Sequence, residues 1–141
     1  MIVLDTNVIS EALAPLPSEA VLRWMARLPP QAAFITTITQ AEILYGIELM
    51  PPGKRRTALA ASVQRIFADE FADRILPFDE AAAQVFAKIA AARKAAGRPI
   101  SQPDAQIAAI ARSRNASLAT RNISDFELCG IELVNPWVVG N

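Results

Sequence analysis

Asp5 stands directly behind Ile2-Val3-Leu4 and ahead of Thr6 and Asn7. A short continuous apolar run reads as a strand buried on both faces, the habit of a parallel sheet. An acid at the carboxyl end of such a strand lies where ligands bind in open α/β sheets. A carboxylate there must be paired, protonated or on a metal, because a lone buried charge is very costly. The chain has no histidine, so its partner is not imidazole. Three further acids fall at the entrance to a helix or past the exit of a strand. Glu42 ends Thr39-Gln40-Ala41-Glu42, Asp104 ends Ser101-Gln102-Pro103-Asp104, and Asp125 follows Thr120-Arg121-Asn122-Ile123-Ser124. A parallel α/β sheet gathers such positions along one edge. Carboxylates without His or Cys nearby are hard oxygen ligands, suited to Mg²⁺ or Mn²⁺ rather than zinc.

Taken singly, the acids have plainer readings. Thr39/Glu42 and Ser101/Asp104 each fit a capping box or its Asp variant. An acid in the first helical turn also favours the helix dipole, by roughly 0.3–1 kcal/mol. Asp125 alone fits a turn residue. Asp5 is the hardest to explain this way, and the joint placement is what marks all four.

The elements that must position these acids alternate strand with helix. The first strand leads into a short helix from Val8 to Ala14, stopped by Pro15 and Pro17. Ser18 caps a helix through Leu28, with Val21, Leu22, Met25 and Leu28 at helical spacing. A second strand at Ala33-Phe34-Ile35 precedes a helix from Thr39 to about Met50, and Pro51-Pro52-Gly53 breaks the chain. A fourth helix runs from about Lys54 to Phe71. A third strand centres on Ile75-Leu76, within Arg74 to Phe78. Asp79 caps a helix to Ala96 that stops at Gly97. The last helix spans about Gln102 to Asn115, with strands at Ser117-Leu118-Ala119 and Ile131 to Val134. This alternation predicts one α/β domain over 1–141: a mostly parallel five-stranded sheet flanked by helices on both faces.

Composition sets the outer bounds. The 141 residues fit one domain with a sizeable core. Lys and Arg number 14 and Asp and Glu 14, so there is no overall basic footprint of a nucleic-acid binder. Nucleic-acid contact would need a local patch or metal ions. The one cysteine, Cys129, rules out an internal disulfide and suits a reducing compartment. With no signal peptide and no apolar run near the ~18–20 residues of a membrane span, the expectation is a soluble cytoplasmic protein. Hydrophobic residues make up 52% of the chain, read either as Ala-rich helices or as an extra apolar face for a partner. Five glycines form neither G-x-G-x-x-G nor a P-loop. Asp5-Thr6-Asn7 lacks the second acid of a D-x-D phosphatase, and no well-placed lysine supports a phospho-receiver.

In order, Leu4-Asp5-Thr6-Asn7, Ala41-Glu42-Ile43-Leu44-Tyr45-Gly46, Pro103-Asp104-Ala105-Gln106-Ile107-Ala108-Ala109 and Thr120-Arg121-Asn122 with Asp125-Phe126 resemble the PIN domain, most closely its VapC type. The resemblance implies a metal-dependent ribonuclease, the toxin of a type II toxin–antitoxin pair, that leaves a 5′-phosphate and a 3′-hydroxyl. It carries Asp5, Glu42, Asp104 and a fourth acid over as ligands of Mg²⁺ or Mn²⁺. Relatives differ in placing that acid where this chain has Asn122 or Asp125. Asp125 is assigned here, with Asn122 a neutral neighbour and Thr6, Asn7 and Thr120 supporting the ligands or contacting phosphate. Other readings of those three residues are ordinary turn and cap chemistry. The resemblance also implies a homodimer, a cognate antitoxin, an assembly with it on operator DNA, and no membrane partner. The antitoxin is expected over apolar helices near Trp24 and the fourth helix, its tail offering a cation to the acids. Arg98, Arg112, Arg114 and Arg121 could line the route to the metals. Arg93 and Lys94 read as a solvated helix face, and Lys54-Arg55-Arg56 as an exposed helix start. The rival function is a non-catalytic PIN-like module that only binds a partner.

Overall fold

The first strand, β1, forms at Ile2–Leu4, and all three of its side chains are buried. Ile2 and Leu4 enter one hydrophobic core and Val3 the other, because successive side chains of a strand point to opposite faces. In the computed structural model, which describes residues 1–138, β1 is the centre of the sheet. The other strands are β2 (Ala33–Thr36), β3 (Ile75–Leu76), β4 (Ser117–Ala119) and β5 (Leu133–Val134). Their order is β3-β2-β1-β4-β5. Every pair is parallel, so the expected five-stranded sheet is present and is parallel throughout.

Helices cover both faces. On the side of Ile2 and Leu4 lie α1 (Thr6–Leu13), α2 (Glu19–Ala26), α3 (Thr37–Glu48) and α4 (Lys54–Arg65). On the side of Val3 lie α5 (Glu80–Ala95) and α6 (Gln102–Ser113). In α6, Ala105, Ala108, Ala109 and Ala111 are at most 1% exposed. Small side chains let α6 sit close against α5 and the sheet, whereas six of the eight alanines of α5 are exposed. Trp24 is 6% exposed and belongs to the first core. Trp24 is therefore not itself part of an exposed apolar face, while Leu22 on the same helix is 42% exposed. No described helix is long and apolar enough to cross a membrane.

Two helix starts differ from the sequence expectation, and both matter for the acids. The first helix begins at Thr6 rather than Val8, because Asp5 itself is the N-cap and its side chain accepts from the Thr6 N–H. The third begins at Thr37 rather than Thr39. Its cap is Thr36, whose hydroxyl accepts from the Thr39 N–H at 3.1 Å. Thr39 is buried inside the helix, and Glu42 lies beyond the first turn. The Thr39/Glu42 capping box is thus not formed. The fourth helix ends at Arg65, short of Phe71, and passes into a wide turn at Ile66–Glu70. That turn closes with Phe71 N–H donating to the Ile66 carbonyl at 3.0 Å, and Phe67 and Phe71 are both buried in the first core. The other caps form as expected, with Ser18 starting α2 and Asp79 starting α5.

Candidate active site

The chain adds β2 and β3 on one side of β1, then crosses to add β4 and β5 on the other. In doubly wound sheets the crevice beyond the carboxyl ends of the strands at that reversal takes the ligand. Asp5 follows β1 there, and Thr120 follows β4.

Asp5 is only 6% exposed, and both its carboxylate oxygens are held. Oδ1 accepts from the Thr6 N–H and Oδ2 from the Thr120 hydroxyl, each at 2.8 Å. With its proton committed to Asp5, the Thr120 oxygen can only accept from its other neighbours. It takes the Asn122 N–H at 3.1 Å and the Asn7 Nδ2 at 3.4 Å. Asn7 must therefore turn its nitrogen towards Thr120, and its Oδ1 is left buried without a hydrogen-bond partner. A buried acceptor in that state costs about 1–3 kcal/mol, which a water or a cation-bound group would relieve.

Glu42 reaches the same place from α3. The Thr6 hydroxyl donates to Glu42 Oε1 at 2.7 Å and lies 2.9 Å from the Thr39 hydroxyl. A carboxylate only accepts, so the Thr6 hydroxyl proton points at Glu42 and Thr39 donates to Thr6. Asp104 comes from the first turn of α6, capped by Ser101, whose hydroxyl accepts the Asp104 N–H at 3.3 Å. The capping half of the Ser101/Asp104 motif is real, and it engages the Asp104 backbone. Asp125 is exposed on the short 3₁₀ turn Ile123–Phe126. Asn122 enters the network through its backbone alone, at Thr120.

The charges of these acids are coupled. Burial pushes the Asp5 carboxyl up to about 6. The bonds from Thr120 and Thr6 pull it back, and Asp104 and Glu42 push it further up. Burial likewise raises Asp104, Ser101 and Arg93 lower it, and Asp125 and Glu42 raise it. All four expected acids therefore belong to one electrostatic cluster, with Asp104 joining Asp125 to the rest. Among the described residues, no three acid, His or Cys side chains form a ready-made cage for an ion.

The basic residues divide differently from their sequence reading. Arg93 is 4% exposed, not part of a solvated face; Lys94 is exposed as expected. Arg98 pairs with Glu127 at 3.0 Å and Arg114 with Asp79 at 3.6 Å. Arg112 donates to the Cys129 carbonyl and packs against Gly130. Arg121, next to Thr120, instead stacks over the Trp137 ring at 5.3 Å. Arg55, taken from sequence only as part of a helix start, borders a groove of about 320 Å³ between α1, α3 and α4. Thr6 and Glu42 lie at one side of that groove, with Gly46, Ile47 and Leu59 along its wall. A hydropathy pattern carries no sign of it, because the wall is made by three helices distant in sequence.

Residues 2–127 match the family model of the PIN domain. The chain is 40% identical over 137 residues to VapC ribonuclease Y4jK of Sinorhizobium fredii, covering 97% of this chain and 98% of that one. It is 39% identical over 137 residues to Toxin FitB of Neisseria gonorrhoeae, covering 97% and 99%. The structure of FitAB bound to an IR36 DNA fragment matches with a TM-score of 0.94 at 38% identity, over 100% of this chain and 99% of that one.

Proposed function

Because the chain belongs to the PIN domain family, as a VapC-type toxin, we propose that it is a metal-dependent endoribonuclease acting at the Asp5 cluster. The observation that carries this reading is the buried Asp5 carboxylate at the reversal point of the sheet, held by Thr120 and the Thr6 N–H and tied through the Thr6 hydroxyl to Glu42, with Asp104 near enough to act on its charge. The donor set is all hard oxygen, and the orphaned Asn7 Oδ1 adds another acceptor beside it; both fit Mg²⁺ or Mn²⁺. Asp5 and Asp104 would be direct ligands, with Asp125 the fourth acid and Asn122 its neutral neighbour. When bound, such an ion lowers the pKa of a water and neutralises charge on the phosphate oxygens.

The rest of the chemistry belongs to the chain. Thr120 and the Thr6 N–H fix the Asp5 carboxylate and favour its charged form. Thr6 and Thr39 orient Glu42 through Oε1, leaving Oε2 to accept a proton from the attacking water. Hydrolysis leaves a 5′-phosphate and a 3′-hydroxyl. Arg121, which has no carboxylate partner among the described ion pairs, is the cation nearest in sequence to Thr120 and meets the RNA phosphate, its guanidinium resting over the Trp137 ring.

The whole chain, 1–141, acts as one PIN domain in the cytoplasm. Its protein partner is a cognate antitoxin, and the pair assembles on operator DNA, as the FitAB likeness suggests. The antitoxin occupies the groove beside Glu42. Two copies of the chain pair through the exposed end of α3, where Leu44, Tyr45 and Leu49 are solvent-facing; light scattering reads that state. The deciding experiment on function is cleavage of a structured RNA. Purified protein cuts with Mg²⁺ or Mn²⁺ and stops with EDTA, and Asp5→Asn or Asp104→Asn abolishes cutting. Full activity in EDTA would overturn the metal mechanism.

A further inference from the structure

Arg93 lies in the last turn of α5 and is almost wholly buried. Among the described ion pairs it has no carboxylate partner. Its contacts are neutral. Nη1 donates to the backbone carbonyls of Asp125 at 2.8 Å and Glu127 at 3.0 Å, and lies 3.7 Å from Cys129 Sγ. Nε donates to the Arg98 carbonyl at 2.6 Å. A buried guanidinium is retained only where carbonyls replace its water and negative charge lies within reach. Asp104 supplies that charge.

The turn that Arg93 grips is not relaxed. Leu128, between two of the gripped positions, has φ +65°. A bulky side chain in the left-handed region persists only where its surroundings over-determine it. Arg98 braces the outside of the same turn, through Glu127 at 3.0 Å and the Ser124 carbonyl at 3.1 Å.

We propose that Arg93 is a positioning residue: its guanidinium, bound to the Asp125 and Glu127 carbonyls, fixes the turn that sets Asp125 beside Asp104 and so completes the acid cluster. The inference rests on the reading of that cluster as the metal site. The guanidinium binds the Asp125 and Glu127 carbonyls through Nη1 and the Arg98 carbonyl through Nε at the same time, and a lysine ammonium, a point charge, does not span both sides of that arrangement. Charge and position make opposite forecasts. As a bare positive charge, Arg93 repels a cation at the cluster, so removing it would tighten metal binding. As a positioner, its loss weakens binding.

The test is Mn²⁺ titration by calorimetry on the full chain, with thermal melts in EDTA to confirm folding. The proteins are wild type, Arg93→Lys, Arg93→Met, Asp125→Asn, Arg93→Lys/Asp125→Asn and Asp5→Asn. Arg93→Lys and Arg93→Met are expected to bind Mn²⁺ about tenfold or more weakly, the usual effect of losing a group that orients a ligand. Asp125→Asn should add little in the Arg93→Lys background, because both changes disable the same turn. Unchanged or tighter binding by a folded Arg93 variant would overturn the proposal, as would full additivity in the double variant. Arg93→Lys keeps the buried charge, so the test stands even if Arg93→Met fails to fold. Wild type that binds no Mn²⁺, or Asp5→Asn that binds it as wild type does, would instead overturn the site reading and the inference with it.

Discussion

Asp5 is under opposed demands. In the proposed role of cation ligand it must be charged, yet burial and two neighbouring acids favour its neutral form, raising its pKa from 3.8 to about 6. Between those values the folded protein binds more protons than the unfolded chain. Stability therefore falls as pH rises through that window and levels above about 6. At about 1.4 kcal/mol per unit, the loss is on the order of 2–3 kcal/mol. Asp5→Asn removes it. In EDTA the variant should melt no lower than wild type at pH 7.5 and lose its relative advantage towards pH 4, where wild-type Asp5 takes up a proton and resembles the amide. Added Mn²⁺ should then stabilise wild type alone at pH 7.5, since a ligand stabilises only by binding the folded state. Melting curves across pH 4–8 check both halves, and a constant offset between the two proteins would refute the linkage. Asp5 was legible in the sequence because an acid abutting a fully apolar strand has few structural uses. Arg93 was not, because nothing marks one arginine in an alanine-rich helix when its acceptors are carbonyls 32 and 34 positions further on.

The element that places Glu42 is a strand running straight into a helix. Thr36 is both the last residue of β2 and the cap of α3, so no loop separates the sheet from the helix that carries Glu42. Three threonines, Thr36, Thr37 and Thr39, lie close together there, and any of them could cap on composition alone. The choice is made by the sheet: Thr36 pairs with Leu76 of β3, which keeps it extended and starts the helix one residue later. That pairing is a long-range fact, so local sequence gave the helix and its length but set its start at the wrong threonine. The strands were easier, since their apolar runs are short and fenced by turn residues. Two substitutions separate the roles of the threonines. Thr36→Ala should cost about 0.5–2 kcal/mol of stability, as for other lost N-caps. Thr39→Val keeps the cap and the volume but removes the hydroxyl that donates to Thr6; it should leave helix start and fold intact while lowering kcat through a misdirected Glu42. Melts and steady-state cleavage report the two effects, and a larger stability loss from Thr39→Val than from Thr36→Ala would restore Thr39 as the cap.

At the scale of the molecule, one face serves two masters. The groove between α1, α3 and α4 ends at Thr6 and Glu42, so an occupant lies beside the acids without having to bind them. Its apolar wall lets a protein segment dock by burial, and the nearby carboxylates attract a cation on that segment. Inhibition and catalysis can then be parted by a substitution in the groove. Gly46 is the position to use: it lines the groove, sits within α3 without a positive φ, and a Cβ there meets nothing within 4 Å. Replacing a helical glycine by a residue of better helix propensity gains about 0.5–1 kcal/mol, so Gly46→Leu should not unfold the protein. The leucine side chain instead projects into the space an antitoxin helix or tail would fill. Overpacking a fitted interface typically costs about 1–3 kcal/mol, which is roughly 5- to 150-fold in affinity. Gly46→Leu should therefore keep metal-dependent RNA cleavage near the wild-type rate while needing much more antitoxin to be silenced. Cleavage assays titrated with the cognate antitoxin measure both quantities on one sample. If the variant is silenced at the wild-type ratio, the antitoxin does not use this groove; if it loses cleavage without antitoxin, the groove is part of the RNA path instead.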